Sequence, residues 1–354
     1  MAVKALILGC AGTQLTAEET AFLRDLDPWG LILFRRNCAD PDQIRRLTTD
    51  FREAVGRRDA PVLIDQEGGR VQRLGPPHWP KYPPARAFSR IAANDPSIGR
   101  EMARLGARLM AHDLGALGIT VDCAPVLDVP VAGAHDVIGD RAFSLDAREV
   151  ANLGRAVAEG LLAGGVLPVI KHVPGHGRAG ADSHMDLPVV DAPLAALETA
   201  DFLPFRTLTD MPLAMTAHVV YTAVDPRRPA TTSRRVMRSV VRGAIGYDGL
   251  VMTDDLSMNA LAGSLAERAR GAYAAGCDVI LHCNGKLGEM REIAGEAKPL
   301  AGKALRRAGA ALARIRHEPD PFDAGEALAR FRDVLARAEA PPSTAFAAGH
   351  ALSV

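Results

Sequence analysis

Val166-Leu167-Pro168-Val169-Ile170-Lys171-His172-Val173-Pro174-Gly175-His176-Gly177 changes character halfway along. Its first half is a short apolar run; its second half is basic, rich in imidazole and punctuated by glycine. A strand buried on both faces reads as a continuous apolar run with no polar alternation, and six residues suit a strand better than a helix. The same figure recurs at Ala5–Gly9, Gly30–Phe34, Pro61–Asp65, Ile119–Cys123, Leu213–Ala217, Leu250–Asp254 and Asp278–His282, so that with Val166–Lys171 there are eight such runs. Between them lie helix signals. Asp40-Pro41 offers an N-cap and a first-turn proline ahead of Ile44, Leu47, Phe51 and Val55, with Gly56 beyond the end. Ile98, Met102, Leu105 and Leu109 repeat the spacing, as do Val150, Leu153, Val157 and Leu161 after Asp146. Ser264 and Glu267 form a capping-box pattern. Eight βα repeats predict an α/β fold in which a parallel sheet closes into a (β/α)8 TIM-type barrel, with an open doubly wound sheet as the alternative.

Length and composition agree. A chain of 354 residues suits one barrel domain over 1–339, and the segment 340–354, poor in bulky apolar residues, reads as a loose tail. Lys plus Arg equals Asp plus Glu at 42 each, which argues against a general nucleic-acid binder. Five cysteines without a CxxC pair read as buried, reduced thiols in a reducing compartment. Ile7-Leu8-Gly9-Cys10 faintly resembles a lipoprotein cleavage site, but the apolar stretch before it is too short for an exported leader. No apolar run approaches the ~18 residues of a membrane span. A soluble, cytoplasmic monomer is expected.

Polar groups close the strand-like runs: Asp65, Asp122, Lys171-His172, His218, Asp254-Asp255, His282 and Asn284. Each alone could cap a strand or open a helix; as a set they are expected to converge at one end of a barrel, where such folds build active sites. Two long connections, Gln66 to about Asp95 and Pro125 to Leu145, come after strands and belong to the same face. The densest cluster runs from Lys171 through His172 and His176 to Asp182-Ser183-His184. Glycines 175, 177 and 180 let the chain turn sharply there. Asp182, two residues from His184, can fix the tautomer of an imidazole and raise its basicity, as a general acid/base needs. Asp254 or Asp255 can serve as the covalent nucleophile of a glycoside cleavage, the other holding structure; the pattern alone does not choose.

Other chemistries compete. His172, His176, His184 and Asp182 could ligate zinc with Asp254 as general base. Gly175-His176-Gly177-Arg178-Ala179-Gly180 matches GxGxxG, but the Asp182-to-Pro188 stretch reads as loop where a dinucleotide site needs a helix. A catalytically dead binding barrel would have no use for Asp254, Asp182 and His184 together.

The chain resembles glycoside hydrolase family 3, in its single-domain bacterial β-N-acetylhexosaminidase branch. The resemblance rests on Gly12-Thr13-Gln14-Leu15-Thr16, Trp29 to Asn37, Asp65-Gln66-Glu67-Gly68-Gly69-Arg70-Val71-Gln72-Arg73-Leu74, Ile138 to Phe143, the 171–184 block, Thr216-Ala217-His218, and Met252-Thr253-Asp254-Asp255-Leu256-Ser257-Met258. It covers nearly the whole chain. Val173, Thr253 and Ala142 depart from commoner residues without touching a charged role. The resemblance implies a retaining exo-β-N-acetylglucosaminidase without metal or cofactor. Asp254 would be the nucleophile, Asp255 its structural neighbour, and His184, oriented by Asp182, the acid/base. Asp65, Arg73, Arg141, Lys171 and His172 would bind the sugar. The implied substrate is a small carbohydrate, the N-acetylglucosamine-terminated muropeptides of peptidoglycan recycling. A β-glucosidase or a phosphorylase of the same family is the runner-up.

Overall fold

A computed structural model describes residues 2–133, 136–180, 183 and 186–339. Eight parallel strands close into a barrel in chain order: β1 (Lys4–Leu8), β2 (Pro28–Leu33), β3 (Val62–Ile64), β4 (Val121–Asp122), β5 (Leu167–Val173), β6 (Leu213–Thr216), β7 (Leu250–Asp255) and β8 (Val279–His282). Closure is made by β1 on β8, with Leu8 opposite His282. All eight runs expected from the sequence are strands, and the open-sheet alternative falls.

The lack of polar alternation in these strands has a direct cause, because both faces are buried. Ile7, Ile32, Leu63, Val121, Val169, Met215, Met252 and Leu281 form one apolar cluster, which fills the barrel. Their chain neighbours Leu6, Leu8, Leu31, Leu33, Ile64, Ile170 and Val251 belong to another, shared with Ile44, Leu47 and Phe51 of the surrounding helices. Side chains on a strand alternate between faces, so one residue's shift decides which cluster it joins.

The helices begin and end where their signals stand. After α1 (Ala17–Leu26), α2 (Pro41–Val55) is capped by Asp40, whose side chain accepts from Gln43 N, and ends at Gly56 with φ 66°. Asp95 caps α4 (Pro96–Gly115), which comes after α3 (Arg86–Asn94), and Asp146 caps α5 (Ala147–Ala163). The helix Leu265–Ala275 carries the Ser264–Glu267 capping box in both directions. The stretch after β3 is more ordered than its proline content suggested. It holds a small antiparallel pair, Gln66–Gly68 with Val71–Gln72, and then α3. Among its described residues, the other long connection contributes a single 3-10 turn, Gly139–Arg141.

Candidate active site

The barrel's C-terminal end holds a cleft of about 430 Å³. Strand parity determines what reaches it. Two residues beyond an inward apolar side chain, the next inward position is already at the strand's mouth: Phe34 after Ile32, Asp65 after Leu63, Lys171 after Val169, Asp254 after Met252, Cys283 after Leu281. His172 breaks the parity, because the β5–β6 register shifts between Lys171 and Val173; both Lys171 and His172 line the cleft.

Three of the polar strand ends do not. Asp122 comes one residue after inward Val121 and therefore faces the other way; it is fully buried, and its Oδ1 accepts the Gln66 N–H at 2.9 Å. Burial pushes its carboxyl well above the usual range. His282, one past inward Leu281, stands 3.2 Å from Glu289. His218 lies beneath the floor, its Nδ1 2.7 Å from Thr231 Oγ1 and its Nε2 3.0 Å from Asp255 O. These positions support the site without touching its contents.

Four of the five sugar-binding candidates, Asp65, Arg73, Arg141 and Lys171, come together in one network of charge, while His172 lines the same cleft on a separate carboxylate, Asp128. Lys171 Nζ lies 2.9 Å from Asp65 Oδ1 and 2.7 Å from Glu67 Oε1. Arg73 Nη2 is 3.0 Å from Asp65 Oδ2. Arg141 grips Glu67 with Nε at 2.8 Å and Nη2 at 2.9 Å. Burial alone would push the Asp65 and Glu67 carboxyls up, but these cations outweigh it. Asp65 sits well below the usual carboxylate range and Glu67 is pulled down to about 2. Lys171 is held above its ordinary range by the same pairs, against its own burial. Asp65, Glu67, Arg141 and Lys171 are thus charged at neutral pH, and the hydrogen bonds lock the heads of the network in place before any ligand arrives.

Glu67 is a site residue that strand-end reasoning missed, since it falls inside the hairpin after β3. Asp128 is another. Fully buried, it accepts from the backbone N–H groups of His172 at 3.1 Å and His176 at 2.6 Å, and its Oδ2 lies 2.7 Å from His172 Nδ1. A carboxylate on one imidazole nitrogen fixes the ring's orientation. Burial would raise the Asp128 carboxyl, yet His172 and His176 bring it down to about 2. Phe34 was also missed; its ring is flanked by Arg36 at 5.1 Å and Arg73 at 5.0 Å.

Asp254 and Asp255 both line the cleft but have different surroundings. Asp255 is tied down: its carboxylate accepts from Ser257 N at 3.0 Å, Ser257 Oγ and Cys283 N at 3.1 Å. Asp254 keeps one oxygen on the Asp255 N–H at 2.8 Å, which leaves the other for the cleft. Burial raises its carboxyl; the His172 and His218 imidazoles, that N–H and Lys171 pull it further down, so the net shift is downward. It is an ionised carboxylate, fixed in orientation, at the mouth of β7.

Asp182 and His184 lie outside the described residues. The chain leading to them is well anchored. Tyr221 donates to Gly175 O at 2.6 Å, and Arg178 Nε meets Asp201 at 2.7 Å. Gly177 packs so tightly that a Cβ there would stand 2.1 Å from Val129 O. Burial lowers the His176 imidazole to about 4, and its Nε2 is 3.2 Å from Ser183 Oγ. Two of the four residues of the zinc reading, His172 and His176, face each other edge-on at 5.8 Å between ring centres, with His172 Nδ1 already engaged by Asp128. Beyond Gly180, no helix begins among the described residues before Leu194, so the glycine-rich stretch opens no dinucleotide site there.

Known proteins give the arrangement its family. The model of the glycosyl hydrolase family 3 N-terminal domain matches residues 3–315. A beta-hexosaminidase of Alkalilimnicola ehrlichii is 42% identical over 283 residues, 79% of this chain and 80% of its own. NagZ from Neisseria gonorrhoeae, solved in complex with N-trifluoroacetyl-D-glucosamine, superposes with a TM-score of 0.81 at 32% identity, covering 95% of this chain and 97% of that one. A family 3 beta-N-acetylglucosaminidase from Paenibacillus gives 0.83 at 30% identity over 94% of this chain, which spans 66% of that longer protein. With a family model over most of its length and relatives at this identity, the chain belongs to glycosyl hydrolase family 3 and is a glycoside hydrolase.

Proposed function

We propose that the protein is a retaining exo-β-N-acetylglucosaminidase, working as one barrel over 1–339. The observation that carries this reading is Asp254: an ionised carboxylate with one oxygen anchored and one left for the cleft, beside a locked array of charged side chains. Asp254 attacks the anomeric carbon, and the glycosidic C–O bond breaks as His184, oriented by Asp182, gives its proton to the leaving oxygen. Water then attacks the glycosyl-enzyme, losing its proton to His184, and frees Asp254. Asp65 accepts hydrogen bonds from two sugar hydroxyls, while Arg73, Arg141, Lys171 and His172 donate to the remaining oxygens and the N-acetyl carbonyl. Their ion pairs bring the cost of ordering these long side chains forward into folding.

The proposed substrates are muropeptides ending in N-acetylglucosamine, in the recycling of peptidoglycan, and the proposed setting is a monomer in the cytoplasm. Similarity to a relative solved with an N-acylglucosamine supports the choice of sugar. Among the described residues no helix is long and apolar enough to cross a membrane.

The test is hydrolysis of 4-nitrophenyl β-N-acetylglucosaminide beside the β-glucoside, with and without EDTA. Selective release that ignores chelator and falls roughly 10⁴-fold in Asp254→Ala is the expected result. The first anomer seen by NMR should be β. Preference for the glucoside, or a fully active Asp254→Ala, would overturn the reading. Acceleration by phosphate with release of a sugar phosphate would replace it with phosphorolysis.

A further inference from the structure

A second cleft lies at the opposite end of the barrel. Its volume is about 380 Å³, and it opens where the chain enters β4 at Thr120 and β5 at Val166. Four arginines line it, Arg52, Arg58, Arg108 and Arg316, against one carboxylate, Asp59. Arg316 is paired with Asp320 at 3.3 Å. Arg52 serves the main chain, donating to Ala60 O at 3.1 Å and Gly118 O at 2.7 Å. Arg58 is exposed and, among the described residues, stands in no ion pair.

Arg108 is the unusual member. It is only 8% exposed, though arginines are almost never buried without a partner. Its Cζ lies 4.1 Å over the Phe322 ring and its Nη2 donates to Asp320 O at 3.0 Å, but no carboxylate pairs with it among the described residues. Its Nη1 finds no hydrogen-bond partner among them either. A desolvated guanidinium without a counter-ion costs free energy that an anion beside it in the cleft would recover.

The plainer reading is that these arginines serve helix ends. Both α4 and α5 finish here, and Gly115, Ala116, Gly164 and Gly165 line the cleft. A helix C-terminus offers only about half a negative charge, and Arg52 and Arg316 already have partners of their own. Helix ends leave the Arg108 guanidinium without a carboxylate partner among the described residues.

We propose that this cleft binds a small oxyanion, the phosphate or carboxylate group of a metabolite, held by Arg108 and Arg58. Guanidinium forks match the oxygens of either group in pairs. The cavity is of the size that accepts a small molecule, at the low end of roughly 300–1,000 Å³ for ligand sites. Because it lies at the far end of the strands from Asp254, this site is separate from the sugar cleft, and the inference does not depend on the glycosidase reading.

The experiment is isothermal titration of the full-length protein with inorganic phosphate and with malonate, at constant ionic strength set by sodium chloride. One saturable site per chain is expected. Arg58→Ala, which alters an exposed residue, should weaken binding tenfold or more and leave nitrophenyl glycoside hydrolysis within twofold. Arg108→Gln should do the same if it folds; if it does not, Arg58→Ala decides. Preference for phosphate identifies a phosphate ester as the ligand class, and preference for malonate a carboxylate. Absence of saturable binding by either anion, or wild-type binding in Arg58→Ala, as phosphate lodged in the sugar cleft would give, overturns the proposal.

Discussion

Glu67 sits between Lys171 and Arg141, and each of those cations reaches its place in the cleft by pairing with it. Its carboxylate is almost wholly buried, so removing the charge leaves Arg141 and Lys171 short of a counter-ion in a poorly hydrated place. Breaking a buried pair from one side costs roughly 3–5 kcal/mol. Glu67→Gln keeps the shape and one acceptor, and the expected loss is at the lower end of that range. Lys171 keeps Asp65, whereas Arg141 has no second carboxylate among the described residues. Arg141 is therefore the group that moves. Since Asp254 is untouched, KM for the aryl glycoside should rise tenfold or more with a smaller change in kcat, and Tm should fall by several degrees. A variant with wild-type KM and Tm would remove Glu67 from the binding apparatus. Asp128→Asn tests the other missed carboxylate. It weakens the hold on His172, and the expected effect is on kcat/KM, measured against an unchanged far-UV circular dichroism spectrum.

Within the element that runs out of β5, the glycines are not equivalent. Gly175 has φ 136°, open only to a residue without a side chain, and Gly177 leaves no room for a methyl group against Val129 O. Gly180 has nothing within 4 Å of its Cβ direction among the described residues. Gly177→Ala must push the chain off Val129, at a cost of about 1–3 kcal/mol for overpacking, and it does so immediately before Asp182 and His184. Activity should fall at least tenfold, while Gly180→Ala stays near wild type; equal effects of the two would show that this packing does not matter to the site. The sequence carried much of this arrangement. Eight apolar runs gave all eight strands because burial on both faces erases polar alternation, and Asp40, Asp146 and Ser264 marked helix starts through a local hydrogen bond. What the strand ends did not disclose was the face. Asp65 and Asp122 look alike in the sequence, yet one is an even step and the other an odd step from an inward side chain. Asp128 and Glu67 were hidden for another reason: each lies beyond its strand, where no period relates position to direction.

Across the whole molecule, the carboxylates fall into two groups with opposite demands on pH. Asp65, Glu67 and Asp128 are held below their ordinary range, the last two at about 2, by cations and imidazoles that outweigh burial. A group lowered in the folded state stabilises fully above its unfolded pKa, near 4, and loses that contribution as pH falls toward 2. Asp122 is raised well above its ordinary range and Asp201 to about 6, both by burial. A raised group binds its proton earlier in the folded state, so its favourable contribution is complete below pH ~4 and is lost as pH rises through the folded value. Between pH ~4 and ~6.5 this loss is opposed by the buried imidazoles of His176, lowered to about 4, and His218, which stay neutral in the fold while the unfolded chain takes up protons. Stability should therefore be roughly level from about pH 5 to 7 and collapse below pH ~4, where Glu67 alone would forfeit roughly 3 kcal/mol as pH falls toward 2. Thermal unfolding monitored from pH 3 to pH 8 at fixed ionic strength checks the plateau and the acid limb. The acid limb should flatten in Glu67→Gln, which has no carboxyl to protonate there, although that variant starts from a lower Tm. A Tm that holds level down to pH 3 would mean that the charge network around Lys171 is not formed in solution. The acid/base pair proposed at Asp182 and His184 would then have no ordered sugar to act upon.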